Sequence, residues 1–364
     1  MLAPLLTIRA SALFEIRGFV IPHFGWRFGF RGSPSVPSFT MSCEYVLTES
    51  LQTRSFIPVL LTLCAALFCG APARSALVFQ TNDIVAFLGA ADVVAAQQSG
   101  HLESLLAIAC RGKDVRFRNL AWEGDTVFEQ PRDFGFPSLL STVQKTSATS
   151  LIMQYGRAEA LNGSTTEFAR AYRKLLDDLG KQSNRMILAT PVPFENGGGL
   201  LPDLSRRNAE LAANAEVIRK VAHERDLTLV DLFRELNGLR GLTSDGLQVT
   251  PRGHAIVAAA FAAQLGLRDL ATQAGGADEA GKWKNPAFER VRQEVIAKNR
   301  LWYDYSRPQN WAFLGGDRIS QPSSHDHRNP SVRWFPAEME RYVPLIRDKE
   351  TEIDQAAWLL RVSK

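Results

Sequence analysis

The sequence predicts an α/β protein, a three-layer sandwich with a five-stranded parallel sheet between helices, followed by a helical C-terminal extension. Three observations carry this. Short runs rich in apolar and β-branched residues alternate with longer stretches of helical periodicity from Leu77 to about Asp269. Three of the five runs are largely apolar, as strands covered on both faces require. The stretches between runs are long enough for the helical crossovers that parallel strands need.

The strands are expected at 84–88 (IVAFL), 115–119 (VRFRN), 150–154 (SLIMQ), 185–190 (RMILAT) and 228–231 (TLVD). Between them, 167–180 places Phe168, Ala171, Tyr172, Leu175 and Leu179 on one helical face and stops at Gly180. Segment 204–225 carries Leu204, Asn208, Leu211, Ala215, Ile218 and Ala222 at helical spacing. Segment 251–265 opens on Pro251, whose missing N–H costs little in a first turn. Past an Ala- and Gly-rich link at 273–282, Phe288, Val291, Val295 and Ile296 form a helical stripe that runs on to Tyr303. An aromatic, proline-bearing stretch (307–316) and a polar loop with His325, Asp326 and His327 follow. A closing helix at 343–360 keeps Ile346, Ile353, Ala357 and Leu360 on one side.

The start of the chain reads differently. Residues 56–70 are an unbroken apolar run preceded by Arg54 and followed by small residues at 71–76. Charged start, apolar middle and small-residue exit are the build of a secretory signal peptide, expected over 54–76. At about 15 residues the run is short for a membrane span, which needs roughly 20. Residues 1–53 lack periodicity and are expected outside the mature protein, with Met41 as an alternative start. The organisation expected is therefore a leader, an α/β domain at 77–272 and an aromatic-rich helical extension at 283–364, in a secreted or periplasmic protein with no membrane span once the signal is removed.

This cut changes the composition. The leader holds six Arg and three Glu, so 36 basic residues face 35 acidic ones in the remainder. A near-neutral body offers no electrostatic footprint for nucleic acid. Cys43, Cys64 and Cys69 fall in the leader, leaving Cys110 alone in an apolar run and no internal disulfide framework. There is no zinc-type His/Cys spacing and no G-x-G-x-x-G match, so neither a metal nor a cofactor is expected.

In open α/β sheets the ligand crevice lies beyond the carboxyl ends of the strands, so the loops there are the ones to read. They are Gly89-Ala90-Ala91-Asp92 after the first strand, and Trp122-Glu123-Gly124-Asp125-Thr126 after the second. Gly156-Arg157-Ala158-Glu159 follows the third, and Asp245-Gly246-Leu247-Gln248 precedes the helix that contains His254. In order and spacing these resemble the four blocks of the SGNH (GDSL-type) hydrolase superfamily, over about 190 residues. The resemblance implies a flavodoxin-like SGNH fold and, in intact members, ester hydrolysis. There a serine attacks, a histidine takes its proton, an aspartate orients the histidine, and glycine and asparagine donors hold the oxyanion.

Carried over position by position, the serine falls on Ala91 and the aspartate beside it on Ala90. The oxyanion glycine falls on Gly124 and is retained. The asparagine falls on Ala158, the aspartate after it on Glu159, the block-four aspartate on Asp245 and the histidine on Gln248. Alanine has no atom that attacks, and glutamine is no base near neutral pH. The usual ester hydrolysis is not available to this chain.

The polar residues left around the crevice are the ligand-binding candidates: Asp92, Gly124, Asp125, Arg157, Glu159, Asp245, Gln248 and His254. A guanidinium fork such as that of Arg157 suits a carboxylate, phosphate or polyol; the plainer alternative is a salt bridge to Glu159 or Glu123. Asp92 is expected to cap the helix starting near Val93, Asp125 to serve loop architecture, and His254 to pack as a helix-face residue. Segment 190–202, with three prolines and three glycines, is expected to cover the site, with Phe194 and the Leu200-Leu201 pair buried. Trp302, Tyr303 and Trp311 could stack on sugar rings, but are expected to pack the extension onto the body. The leading functional expectation is an exported protein of this fold that lacks Ser-His esterase activity and binds a small polar or carbohydrate ligand. The alternatives are a hydrolase with a non-standard residue set and a structural or partner-binding module.

Overall fold

The computed structural model describes residues 79–360 apart from Asn184. These all fall within one compact unit that begins at Ala71. The signal-peptide and upstream readings lie outside the described residues.

Five strands form the sheet: β1 (Ile84–Gly89), β2 (Arg116–Asn119), β3 (Ser150–Gln154), β4 (Arg185–Ala189) and β5 (Thr228–Val230). All pairings are parallel, in the order β2-β1-β3-β4-β5. The helices are α1 (Ala91–Ser99), α2 (His101–Ala109), α3 (Leu139–Thr146), α4 (Glu159–Asn162), α5 (Thr165–Gly180), α6 (Asn208–Glu224), α7 (Leu232–Leu236), α8 (Pro251–Ala262) and α9 (Arg268–Gln273). The extension adds α10 (Pro286–Ser306), α11 (Trp311–Leu314), α12 (Trp334–Glu340) and α13 (Tyr342–Trp358).

Alternate strand residues feed two cores, which makes the three layers. Ala86, Leu88, Leu151, Met153 and Leu188 meet Val143 of α3, Phe168, Tyr172 and Leu176 of α5, and Ile218 of α6. Val85, Phe87, Ile152 and Ile187 meet Val93 of α1, Leu106 of α2 with its C-cap Cys110, and Phe261 of α8. Cys110 is a core residue whose thiol burial pushes up to about 12, out of nucleophilic range. A third cluster lies outside that second layer, where Leu105 and Ile108 of α2 and Ala255, Ala258 and Ala262 of α8 receive Val291 and Val295 of α10 and Ile353 and Ala357 of α13. The stretch Pro251–Gln273 is, among the described residues, the one helical run long and apolar enough by composition to cross a membrane. Here it supplies this core, and Gly266 at φ 82° breaks its helical path.

The extension also closes the sheet. Arg116 of β2 and Leu120 just beyond it bond towards β1 through Asp83 O and Phe87 O, so residues 117, 119 and 121 face the open edge. Three donors from the extension meet those three carbonyls. Lys298 Nζ donates to Phe117 O at 3.1 Å, Trp302 Nε1 to Asn119 O at 2.8 Å, and an Arg307 N–H to Ala121 O. An exposed strand edge is a template for another chain. In this protein side chains of α10 and its C-cap residue occupy the edge carbonyls.

Candidate functional site

The strand order places the crevice between β1 and β3, whose following loops diverge there as at the switch point of other open α/β sheets. Ala90 precedes α1 with no side-chain cap, and Ala91, onto which the resemblance places the nucleophile, is exposed. Asp92 is the second residue of α1, so it does not cap the helix as expected. It accepts a hydrogen bond from Arg157 Nη1 at 2.7 Å across the crevice. The expected partners of Arg157 are both engaged elsewhere. Glu123 pairs with Arg307 at 2.8 Å, and Glu159 accepts backbone N–H groups.

Arg157 is the buried centre of the site. Its side chain is 6% exposed against 21% for Asp92. Its guanidinium lies 5.0 Å over the Phe194 ring, Nη2 reaches Pro193 O at 3.5 Å, and Nε is buried with no hydrogen-bond partner. An unsatisfied buried donor costs free energy that a ligand or water acceptor would recover. His254, in the first turn of α8, is buried within electrostatic reach of the same pair. Burial drives its imidazole down to about 4, with Asp92 pulling it up and Arg157 pushing it down. It is therefore neutral at physiological pH.

The block-four residues form a tight turn at the rim. Asp245 Oδ1 accepts the N–H groups of Leu247 (2.9 Å) and Gln248 (2.6 Å), and these bonds hold its carboxyl below the usual range, with Arg157 adding to the effect. Gln248 points to solvent. Asp245 thus shapes a turn and orients no base. Segment 190–202 is laced to this turn. The Glu195 carboxylate accepts Gly241 N–H at 2.7 Å and the N–H and hydroxyl of Thr243 at 2.5 and 2.6 Å, and Glu195 N–H donates to Gly246 O at 3.1 Å. Gly246 must be glycine: at φ 90° any Cβ would sit 2.4 Å from Glu195 O. Phe194 is buried as expected, but Leu200 and Leu201 are exposed, because the chain turns outward at Gly198 and Gly199. The segment is a fixed rim, which corrects the expected cover.

Two of the candidates face away from the crevice. Glu159 is buried and staples the second and third loops together, accepting Val127 N–H and Gly156 N–H, both at 2.8 Å; burial raises its carboxyl despite those bonds. Asp125 is buried in a fork to Arg132 at 2.5 and 3.0 Å, and desolvation raises its carboxyl against the pull of that guanidinium. Its expected architectural role is what the geometry provides. Gly124 between them is exposed, and Ala158 is half-buried. The structure thus brings together Asp92, Arg157 and His254, with Asp245 close enough to feel Arg157. The carboxylates do not converge. Among the described residues no group of His, Cys, Asp and Glu could hold a metal ion. His325 bonds the carbonyls of Pro330 and Ile319, and His327 is solvent-exposed.

Residues 85–256 match the model of the GDSL-like Lipase/Acylhydrolase family. That span, just under half of the chain, holds the five-stranded sheet, and in fold it is similar to the SGNH/GDSL hydrolases. Among solved structures, a gut microbial diltiazem-metabolizing enzyme is similar at 10% identity and a TM-score of 0.48, over 78% of this chain and 96% of its own. A GDSL-like lipase described as putative, from Parabacteroides merdae, is similar at 14% identity and 0.40, over 53% and 100%. The acetylxylan esterase of Geobacillus stearothermophilus is similar at 16% identity and 0.39, over 52% and 97%. No curated protein matches the chain.

Proposed function

We propose that this protein is an exported SGNH-fold binding protein that takes a small hydroxyl-rich ligand, such as a carbohydrate, and does not hydrolyse esters with the family triad. One observation carries the reading: beside Ala91 and Gln248, onto which the resemblance places the nucleophile and the base, a half-buried Arg157–Asp92 pair spans the crevice. The pair makes a neutral ligand a better fit than an anion. Asp92 already balances the guanidinium, His254 is neutral, and Asp245 adds a negative charge at the rim. A polyol can donate hydroxyls to the carboxylates and accept from backbone N–H groups such as that of the exposed Gly124. Export rests on the apolar run at 56–70 and its flanks.

A second reading is favoured by the burial of Arg157, which fills part of the crevice: a structural module whose crevice is closed. A neutral-oligosaccharide array separates the two. The wild-type protein is expected to retain at least one glycan. Arg157→Met is expected to weaken that binding roughly ten- to a hundred-fold, the range for hydrogen bonds to a charged group. Absence of any bound glycan, or equal binding by the variant, would support the closed module.

A further inference from the structure

We infer that Arg307 is a positioning residue for the crevice, acting from the C-terminal extension on the turn that carries Gly124. This rests on the binding reading above, but its geometry stands apart from it. The Arg307 guanidinium lies 4.8 Å from the centroids of both the Tyr303 and the Trp122 rings. Arg132 also stacks on Trp122, at 4.5 Å. Tyr303, Arg307, Trp122 and Arg132 are thus linked by three cation–π contacts, each favoured by the ring quadrupole.

Each arginine of the stack holds one neighbour of Gly124. Arg307 Nη1 donates to Glu123 at 2.8 Å and a second N–H donates to Ala121 O. Arg132 forks onto Asp125. The turn is closed by Asp125 N–H on Trp122 O at 3.0 Å and by Thr126 N–H on Glu129 O at 2.9 Å. Further along the extension, Trp311 Nε1 donates to Phe134 O at 2.8 Å, and the Trp311 ring meets Phe136, which in turn meets Trp122 edge-on. The two segments also touch where Gly135 meets Gly315, so closely that a Cβ on Gly135 would lie 2.6 Å from Gly315 O. Gly124 is the retained oxyanion-type donor and is exposed, so what fixes its direction is this support. Arg307 lies beyond the residues matched by the family model. The extension is thus one wall of the site.

Hydrogen exchange of the full chain tests this, with Arg307→Ala and Arg307→Lys beside the wild type. In Arg307→Ala the amides of Asp125 and Thr126 are expected to exchange at least about tenfold faster, while those of β1 and β3 keep their rates. Lysine keeps the charge but neither the fork nor the stack, so it should recover only part of the protection. Adding xylotetraose to the wild type is expected to slow exchange further in this turn, and to do so much less in Arg307→Ala. Unchanged turn exchange in the unliganded alanine variant, or a rise shared equally by the sheet, would overturn the inference. If xylotetraose protects nothing in the wild type while the unliganded variants behave as expected, Arg307 still positions the turn and the choice of this ligand is what fails.

Discussion

Lys298→Met is expected to destabilise the protein by about 3–5 kcal/mol, the range for breaking one side of a buried ion pair. Lys298 is 1% exposed, and its Nζ sits 2.6 Å from Glu103 of α2 as well as on the β2 edge carbonyl of Phe117. Burial pushes its ammonium pKa down while Glu103 pulls it back. Methionine fills the stem's volume but leaves the Glu103 carboxylate buried without its cation. The double variant Lys298→Met, Glu103→Leu removes both charges and is expected to recover most of the loss, leaving about 1 kcal/mol for the edge carbonyl. Urea unfolding of the four proteins closes the cycle. If the two single changes simply add, the buried pair does not hold the extension to the body.

Lowering the pH from 7 to 4.5 is expected to weaken the fold by several kcal/mol, chiefly through two histidines. In the native protein burial drives His101 and His254 each down to about 4, from about 6.5 when unfolded. Between those values the unfolded chain binds protons that the native protein does not, so stability falls as pH drops through that window. At about 1.4 kcal/mol per pH unit, each histidine contributes a loss of roughly 3 kcal/mol by pH 4. Nearby charges modulate this. Arg292 and His254 disfavour protonation of His101 and Glu289 favours it, while Asp92 favours that of His254 and Arg157 disfavours it. The raised carboxyls of Glu159 and Asp125 act in the opposite sense and blunt the lower end of the fall. Asp83 and Asp231, held down by their partners, give up their contributions only below about 3.8. Unfolding midpoints at pH 7 and 4.5 should differ clearly in the wild type and much less in a His101→Gln, His254→Gln variant. Equal wild-type midpoints would contradict the account.

The strands were legible because each is a short apolar run whose two alternating faces enter separate cores, as Val85 and Ala86 do in β1. The helices of the α/β body from Thr165 on were legible from periodicity, although the run from Leu204 divides into a 3-10 turn and α6 at Asn208. What sequence could not supply was adjacency. Asp92 reads as a cap and Arg157 as a partner of nearby acids until the sheet order places β1 beside β3 and brings residues 65 apart into contact. The edge-closing role of the extension is hidden for the same reason, since nothing local says that β2 lies at an edge. One signal was present. Lys298 and Trp302 continue the stripe of Val291 and Val295 at helical spacing, and a lysine on an apolar face implies a buried partner. Leu200 and Leu201 are exposed against the sequence expectation because apolar character alone does not force burial when glycines turn the chain outward.

We propose that this crevice keeps the fold of a hydrolase but holds a fixed Arg157–Asp92 pair in place of the family's chemistry. The most direct measurement is hydrolysis of a short-chain aryl ester and of an acetylated sugar by the purified protein, beside Asp245→Ala. The account predicts no turnover above background on either substrate, with the variant indistinguishable from wild type. Turnover that the Asp245 substitution abolishes would contradict it, and would mean that a nucleophile other than the family serine works at this rim.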